Sequence, residues 1–412
     1  MQREANDHSR EARQQATALR ARLLAGDAGD ANYATRFVDE LLAAAQTAGA
    51  SDLHLQPTAA GLHIQWRLDG VLQSLGEFPP GIIASIVARL KVLAELLTYR
   101  CETPQEGRIR NASIEMRVST FPTLHGERVV VRLFGVGQER FERLDDLGFP
   151  RRLGDQLRSL IGESSGALLI TGPAGSGKTT TAYALLREIH SLSHGGRSAM
   201  SLEDPIEGEL SGISQSEVND AAGLSLATGL RSLMRQDPEV ILVGEMRDRP
   251  TAEVAFQAAL TGHLVLSTFH AGSAAGAVSR LADMGFEPYV LKSGILAILA
   301  QRLVRRLCHC RRSVANEQEK LGFEVASAHV PVGCEQCRGT GFAGRIVLAE
   351  LLQPGYSEIG QAILQHREMA ALQDCAENEG MVPLAARARA AMERGETSPS
   401  EVRRVLGIRG AS

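Results

Sequence analysis

The sequence of 412 residues predicts an α/β protein whose larger domain is built on a buried, mostly parallel sheet. Three short apolar runs that end in glycine or polar residues predict the strands of this sheet: GALLITG (166–172), EVILVGE (239–245) and HLVLSTFH (263–270). Alternating apolar residues before residue 135 predict a smaller α/β domain. We expect a cysteine module and a helical tail to follow the larger domain.

The composition is that of an ordinary globular protein, with 44% hydrophobic and 22% charged residues, and excludes collagen-like and disordered chains. A net charge of -4 and 4% aromatic residues disfavour a dedicated nucleic-acid binder. No apolar run reaches the roughly 18 residues of a membrane-spanning helix, and the polar start lacks the apolar core of a signal peptide. Six cysteines are too few for a disulfide scaffold, so we expect a cytosolic protein.

Changes of pattern along the chain predict the domain boundaries. Residues 1–30 are polar and predict a solvated helix or tail, while residues 31–135 form the small domain, with helices near 33–49 and 81–97. Residues 136–150 predict a linker that ends at Pro150. The remaining segments are a phosphate-loop core (151–307), a tetracysteine module (308–348) and a C-terminal helical region (349–412).

A glycine-rich loop predicts a nucleotide site. Residues 172–179, here called the phosphate loop, match G-x-x-x-x-G-K-[ST] and lie between a predicted strand and a predicted helix. Loop N–H groups surround phosphate oxygens, Lys178 reaches the β- and γ-phosphates, and the Thr179 hydroxyl holds Mg²⁺. A glycine-rich turn that binds nothing is the alternative. The predicted nucleotide-binding residues are Gly172, Pro173, Ala174, Gly175, Ser176, Gly177, Lys178, Thr179 and Thr180.

Three acidic residues are candidates for the chemistry of hydrolysis. Glu245 ends an apolar strand and is placed to accept the proton of an attacking water, although it could instead cap a neighbouring loop. Glu203 and Asp204 together can hold a metal-bound water, because Mg²⁺ keeps much of its hydration shell. An acidic turn without a ligand is the alternative for this pair.

Two histidines flank the strand at 263–270. His270, at its carboxyl end, is the better candidate for contact with the γ-phosphate. For His263 a purely structural role is as strong an interpretation as a functional one, because a lone histidine is more often structural.

These segments resemble the acidic box, Walker B segment and histidine box of the secretion-superfamily hexameric ATPases, and more narrowly the type II secretion and type IV pilus extension motors. The resemblance covers about residues 33–410. The motifs that carry it are SLEDPIE, RQDPEVILVGEMRD, ALTGHLVLSTFHA, QRLVRRL, ASDLHLQP, WRLDGVL and RVSTFPTLHGERVVVRL.

The resemblance implies a RecA-like P-loop ATPase domain behind a PAS-like first domain. It makes Glu245 the catalytic glutamate, lets Glu203 and Asp204 assist Mg²⁺ and water, and makes His270 the sensor of the γ-phosphate. It also implies that Arg117 and Arg132 neutralise charge on the nucleotide. As residues on alternating strands, these two arginines could equally be surface ion-pair partners.

Four cysteines predict a structural Zn²⁺ site, because four thiolates suit tetrahedral zinc: Cys308, Cys310, Cys334 and Cys337. The resembling motors carry a tetracysteine zinc module here, but they have two residues between the first two cysteines, whereas this chain has one. The tighter spacing could weaken the site or let His309 replace one thiolate, and reduced, metal-free thiols are the alternative. Cys101 and Cys375 have no cysteine nearby and are interpreted as packing residues.

The function implied by the resemblance is that of an ATP-hydrolysing homohexameric motor. It would drive pseudopilus or pilus assembly, or type II secretion, through an inner-membrane platform protein, with the 136–150 linker as the hinge. We expect it in the cytoplasm, at the inner membrane only through partners, and without a nucleic-acid partner. The alternatives are an ATP-binding scaffold subunit with little turnover, a pilus-retraction or DNA-uptake motor, and a DNA translocase. Many resembling motors carry a further N-terminal domain that docks on a membrane-associated partner, and only about 30 residues precede the core here.

Overall fold

The computed structural model describes residues 19–25, 30, 32–111, 114–133, 141–355 and 357–407. Most of the tail predicted at 1–30, and residues 136–140 of the predicted hinge, lie outside the described residues. The chain divides into two compact units. Unit 1 comprises Met1–Glu139, Cys308–Arg311 and Pro331–Gly344; unit 2 comprises Arg140–Leu307, Arg312–Val330 and Arg345–Ser412.

The described residues of unit 1 form a six-stranded antiparallel sheet in the order β3-β2-β1-β6-β5-β4. Its strands are β1 (Asp52–Pro57), β2 (Leu62–Leu68), β3 (Val71–Phe78), β4 (Gln105–Asn111), β5 (Ile114–Thr123) and β6 (Gly126–Leu133). The helices that pack on it are α1 (Tyr33–Ala48) and α2 (Ile83–Leu93).

Helix α1 confirms the expectation from apolar spacing. Phe37, Leu41 and Ala45 lie on one face and are buried. Gly49 ends the helix with φ 74° and donates its N–H to the last carbonyls, which is the left-handed geometry that favours glycine. The second helix is shorter than the predicted 81–97: residues 80–82 form a 3₁₀ turn before it, and it ends at Leu93, ahead of Glu95 with φ 58°.

Strand β3 was not predicted from the sequence. Only two of its eight residues, Leu75 and Phe78, are buried, because β3 is an edge strand with weak apolar alternation.

The described residues of unit 2 form a seven-stranded sheet in the order β15-β12-β7-β11-β10-β8-β9. Strand β7 pairs in parallel with β11 and β12, and β10 pairs in parallel with β8 and β11. Its strands are β7 (Gly166–Thr171), β8 (Ala199–Glu203), β9 (Ser214–Glu217), β10 (Val240–Glu245), β11 (Leu264–Phe269), β12 (Ile295–Leu307) and β15 (Phe342–Leu352). The prediction of an α/β fold with a mostly parallel sheet is confirmed.

Helices cover both faces of this sheet, as a buried parallel sheet requires. Leu169 packs into one apolar cluster, whereas Leu168 and Ile170 pack into another, because successive strand residues face opposite sides. The helices of unit 2 are α3 (Arg151–Ile161), α4 (Lys178–Leu192), α5 (Leu226–Leu233), α6 (Arg249–Leu260), α7 (Ala274–Asp283), α8 (Pro288–Gly294), α9 (Glu358–Leu364), α10 (Met369–Asn378), α11 (Leu384–Glu393) and α12 (Pro399–Leu406).

Two short strands, β13 (Arg312–Ser313) and β14 (His329–Val330), form a separate antiparallel pair. None of the helices that the structure describes combines the length and the apolarity of a bilayer-spanning segment.

Candidate nucleotide site and cysteine cluster

The carboxyl ends of four neighbouring parallel strands bring the predicted site residues of unit 2 to one edge of its sheet. The phosphate loop follows β7, Glu203 ends β8, Glu245 ends β10, and His270 follows β11. In an open α/β sheet, this edge is where ligands bind. The fold therefore places the phosphate loop beside two acidic strand ends and one histidine.

The phosphate loop wraps around the ammonium group of Lys178. The Lys178 Nζ donates hydrogen bonds to the carbonyls of Gly172 (3.0 Å) and Pro173 (3.2 Å). Burial lowers the pKa of Lys178, and the negative charge of Glu245 acts in the opposite direction. Lys178 thus supplies a positive charge inside the loop, and Glu245 lies close enough to influence it.

Only glycine fits at position 172, because a side chain there would clash with its neighbours. A Cβ atom at this position would lie 2.5 Å from the Ser176 Oγ and 2.6 Å from the carbonyl oxygen of Gln301. Strand β12, which carries Gln301, therefore packs directly against the loop. The Gln301 Nε2 donates to the Ser176 carbonyl at 2.8 Å, and its Oε1 accepts from the Thr181 hydroxyl at 3.0 Å.

Glu203 is buried and accepts hydrogen bonds on both carboxylate oxygens. The Tyr183 hydroxyl donates to Oε2 and the Ser201 hydroxyl to Oε1, each at 2.5 Å, and Gln215 Nε2 lies 3.2 Å from Oε1. Burial, followed by the charge of Glu203, raises the pKa of Tyr183, so this hydroxyl remains a donor at neutral pH. Glu203 is therefore rigidly held, while the adjacent Asp204 is exposed.

Glu245 is held by two cationic or potentially cationic side chains. Its Oε2 accepts from Arg247 Nε at 2.5 Å, and its Oε1 lies 2.5 Å from His270 Nε2. The hydrogen bond to Glu245 raises the pKa of Arg247. The structure thus brings the predicted Glu245 and His270 into direct contact.

His263 lies at the opposite end of β11. Its Nδ1 is 3.0 Å from the Ala258 carbonyl, and its own carbonyl accepts from the N–H of Gly166. These contacts fix the start of the strand, which is the structural role that the sequence left open.

Arg117 and Arg132 lie directly opposite each other on β5 and β6 of unit 1. Arg132 Nε donates to Asp52 at 3.0 Å, and Arg117 pairs with Glu106. Both arginine side chains remain partly exposed. Both arginines therefore form ion pairs, which is the alternative role that the sequence allowed. Their contact with a nucleotide stays a prediction.

The four predicted cysteine ligands come together in unit 1. Their sulfur atoms lie within 4.8 Å of one another, with separations of 3.7 Å between Cys308 and Cys334, 3.9 Å between Cys310 and Cys337, and 3.7 Å between Cys334 and Cys337. Four sulfurs about 2.3 Å from a tetrahedral Zn²⁺ are about 3.8 Å apart. The cluster therefore fits a zinc ion even with one residue between the first two cysteines.

Backbone N–H groups point at two of these sulfurs. Gly333 donates to Cys310 at 3.3 Å, and Gly341 donates to Cys337 at 3.2 Å. Burial raises the pKa of the Cys310 thiol to about 12, so a metal would have to displace its proton. His309 Nδ1 lies 3.4 Å from the Cys308 sulfur, beside the four-sulfur group rather than in place of a thiol.

The two remaining cysteines differ. Cys375 is buried, in line with the expected packing role, whereas Cys101 is exposed, so the packing interpretation of Cys101 is wrong.

Sequence reasoning missed three side chains around the nucleotide site: Tyr183, Arg247 and Gln301. The available signal for Gln301 was its position, since a polar amide interrupts the apolar run of β12. Tyr183 carried no such signal, because its partner Glu203 lies on a separate element. Arg247 lies only two residues after Glu245, so its closeness in sequence was the available signal.

Comparison with known proteins gives a consistent family. The profile of the family described as "Type II/IV secretion system protein" matches residues 27–404. Type II secretion system protein E of Aeromonas hydrophila is 43% identical over 337 residues, which cover 79% of this chain and 66% of that protein. The type IV pilus assembly ATPase TfpB of Acinetobacter baylyi is 39% identical over 401 residues, which cover 93% of this chain and 67% of that protein. The chain thus spans about two thirds of the length of these relatives.

Solved structures share the fold. The pilus retraction motor PilT with bound ADP gives a TM-score of 0.59 at 24% identity, covering 88% of this chain and 94% of that one. The ATPase DotB of Legionella pneumophila gives 0.62 at 21% identity, covering 89% of this chain and 94% of that one.

Proposed function

Because the chain belongs to the type II/IV secretion system protein family, we propose that it hydrolyses ATP to drive pilus or pseudopilus assembly or type II protein secretion. One observation carries this proposal: the phosphate loop, Glu245 and His270 lie along one edge of a parallel sheet, with Glu245 in contact with His270. Two relatives, one named as a type II secretion system protein and one as a pilus assembly ATPase, support secretion or assembly as the process that ATP hydrolysis would drive.

ATP would bind at the phosphate loop and Thr180. The close approach of Gly172 to Ser176 and Gln301, and the buried ammonium of Lys178, support this assignment, because they form a small positive cradle. Thr179 would hold Mg²⁺, with Glu203 and Asp204 next to its water shell. A bound Mg²⁺ would neutralise charge on the phosphates.

Glu245 would accept a proton from the attacking water, and His270 would sense the γ-phosphate. The Glu245 carboxylate ends β10 at the same edge of the sheet as the phosphate loop, and it accepts a hydrogen bond from Arg247. Arg117 and Arg132 would approach the phosphates from the first domain, where each partly exposed guanidinium would exchange or share its carboxylate partner with a phosphate oxygen.

The larger assembly is also part of the proposal. We expect a homohexamer that works on an inner-membrane platform protein from the cytoplasm, with 31–135 as the first domain, 136–150 as hinge and 151–307 as the ATPase core. The cluster Cys308, Cys310, Cys334 and Cys337 would hold a structural Zn²⁺ within the 308–348 module, because its sulfur spacing suits a tetrahedral ion.

A second candidate function is an ATP-binding scaffold subunit with little turnover. The observation that favours it is that both oxygens of Glu245 are already occupied, by Arg247 and His270. If both contacts persist in the presence of nucleotide, each oxygen has only one lone pair left for an attacking water.

Phosphate release from Mg-ATP by the purified chain tests the proposal, with Lys178→Met as the matched inactive variant. We expect release by the unmodified chain that requires Mg²⁺ and is lost in Lys178→Met, because the variant keeps the side-chain length and removes the charge. Nucleotide binding without release would favour the scaffold function, and absence of both would refute a nucleotide site.

A further inference from the structure

We propose that Gln301 is a positioning residue that holds the phosphate loop in its anion-binding shape. The inference deepens the proposed function, since it assumes that nucleotide binds at this loop. Gln301 lies on β12, 125 residues from its partner Ser176.

Both polar atoms of the Gln301 side-chain amide form hydrogen bonds. Its Nε2 donates to the main-chain carbonyl of Ser176, in the loop, at 2.8 Å. Its Oε1 accepts from the hydroxyl of Thr181, in the first turn of α4, at 3.0 Å. Gln301 as a residue is 1% exposed, so water cannot replace either partner. A rigid planar group therefore spans the loop and the helix that follows it.

The contact with Ser176 determines where the next N–H points. In a trans peptide unit, the C=O of one residue and the N–H of the next point in opposite directions. Gln301 holds the Ser176 carbonyl toward β12, and so turns the N–H of Gly177 away from β12. An N–H at the start of a helix is a donor to phosphate oxygens. Gln301 thus aims a phosphate-binding donor without touching the phosphate.

Two glycines let β12 approach closely enough for this contact. A Cβ on Gly172 would lie 2.6 Å from the Gln301 carbonyl oxygen. A Cβ on Gly177, which has φ +86°, would lie 3.3 Å from the Gln301 Nε2. Gly172 and Gly177 therefore allow β12 to pack closely against the phosphate loop, in addition to allowing the loop backbone to approach a phosphate.

The phosphates would accept a hydrogen bond from this N–H in both the ground state and the transition state. Misdirecting the N–H therefore weakens the binding of both states equally. A variant without the amide should then raise KM and the nucleotide Kd while kcat changes little. A residue needed only for folding would instead lower the melting temperature without separating KM from kcat.

The test compares Gln301→Leu, which keeps the side-chain size and removes both hydrogen bonds, with Thr181→Val, which removes only the bond to the helix. The probe is Mg-ATP in equilibrium binding and steady-state hydrolysis. For Gln301→Leu we expect Kd and KM to rise roughly tenfold to a hundredfold, because the Ser176 carbonyl is left unpaired. For Thr181→Val we expect a rise of less than about threefold.

Met392→Ala is the stability control, because Met392 is a buried residue of a different apolar cluster from the residues around the loop. It should lower the melting temperature and leave Kd unchanged. Unchanged binding by Gln301→Leu, or equal weakening by Thr181→Val, overturns the role of Gln301 and leaves the proposed function intact. Absence of ATP binding by the unmodified chain overturns both.

Discussion

The Oε1 atom of Glu245 lies 2.5 Å from the Nε2 atom of His270. The two residues come from neighbouring parallel strands, β10 and β11, and the strand ends are joined by the Thr268 hydroxyl, which donates to the Gly244 carbonyl at 2.6 Å. The other carboxylate oxygen of Glu245 accepts from Arg247. Each carboxylate oxygen keeps a second lone pair, so a water that Glu245 activates can be accepted beside these partners or in place of one of them. We propose that His270 links Glu245 to the γ-phosphate.

His270→Ala should lower kcat by roughly tenfold or more, because Glu245 loses the partner that couples it to the phosphate. Nucleotide Kd should change less than about threefold. The measurement is steady-state ATP hydrolysis together with equilibrium binding.

His263→Ala is the control for this prediction, because His263 lies at the opposite end of the same strand and bonds to the Ala258 carbonyl. It should hydrolyse ATP at the unmodified rate. An equal loss of kcat in the two variants would mean that hydrolysis depends on the integrity of β11 and not on the contact between His270 and Glu245.

The cysteine cluster should contain one zinc ion per chain. Elemental analysis of the purified protein should find the metal in the unmodified chain and lose it in Cys334→Ser, since three thiolates bind zinc less tightly than four. Cys101→Ser should keep it, because Cys101 is exposed and outside the cluster.

A metal chelator should also lower the melting temperature of the unmodified chain, because the ion holds two chain segments together. Absence of zinc from the unmodified chain would support reduced, metal-free thiols, and full retention of zinc in Cys334→Ser would contradict its binding by the four-thiolate cluster.

Glu401 should stabilise unit 2 in a pH-dependent manner. It is buried and accepts hydrogen bonds from Arg305 and Arg404. Burial would raise the pKa of Glu401, but the hydrogen bonds from Arg404 and Arg305 more than offset it and bring the pKa to about 2. Since the folded pKa lies below the unfolded value, the stabilisation is fully present above about pH 5 and is lost as the pH falls toward 2.

The shift in the pKa of Glu401 corresponds to about 3 kcal/mol. At pH 7, Glu401→Gln should therefore lower the melting temperature by roughly 6 °C or more, and the difference should shrink at pH 4 and below. Glu319→Gln is the matched control, because Glu319 also pairs with an arginine, Arg312, but on the surface. It should change the melting temperature far less. A loss for Glu401→Gln that is equal at pH 7 and pH 3 would contradict the prediction.

The sequence was sufficient to predict features whose signal is local. The phosphate loop is a contiguous pattern, and the apolar runs before Glu245 and His270 identify buried parallel strands. Because parallel strands present their carboxyl ends at one edge of a sheet, the proximity of these residues to the loop also followed. The cysteine cluster followed from ligand type and spacing.

Contacts between distant segments could not be predicted. Gln301 reaches Ser176 only because β12 is the neighbour of β7 in the sheet. No local sequence pattern predicts this strand order. Tyr183 reaches Glu203 because α4 packs with that face toward β8. The edge strand β3 was missed for a related reason, since an edge strand buries few side chains and shows little alternation.

Phosphate release from ATP, measured for the unmodified chain and for Glu245→Gln over a series of protein concentrations, tests whether the chain is an oligomeric ATPase. Glu239→Gln is the matched control, because Glu239 lies at the other end of β10, where it accepts from the N–H of Ser198. We predict that specific activity rises with protein concentration in the unmodified chain and in Glu239→Gln. In Glu245→Gln it should fall by about 100-fold or more while ATP still binds. A flat, near-background rate in the unmodified chain, equal to that of Glu245→Gln, would contradict the proposed motor and favour a nucleotide-binding scaffold.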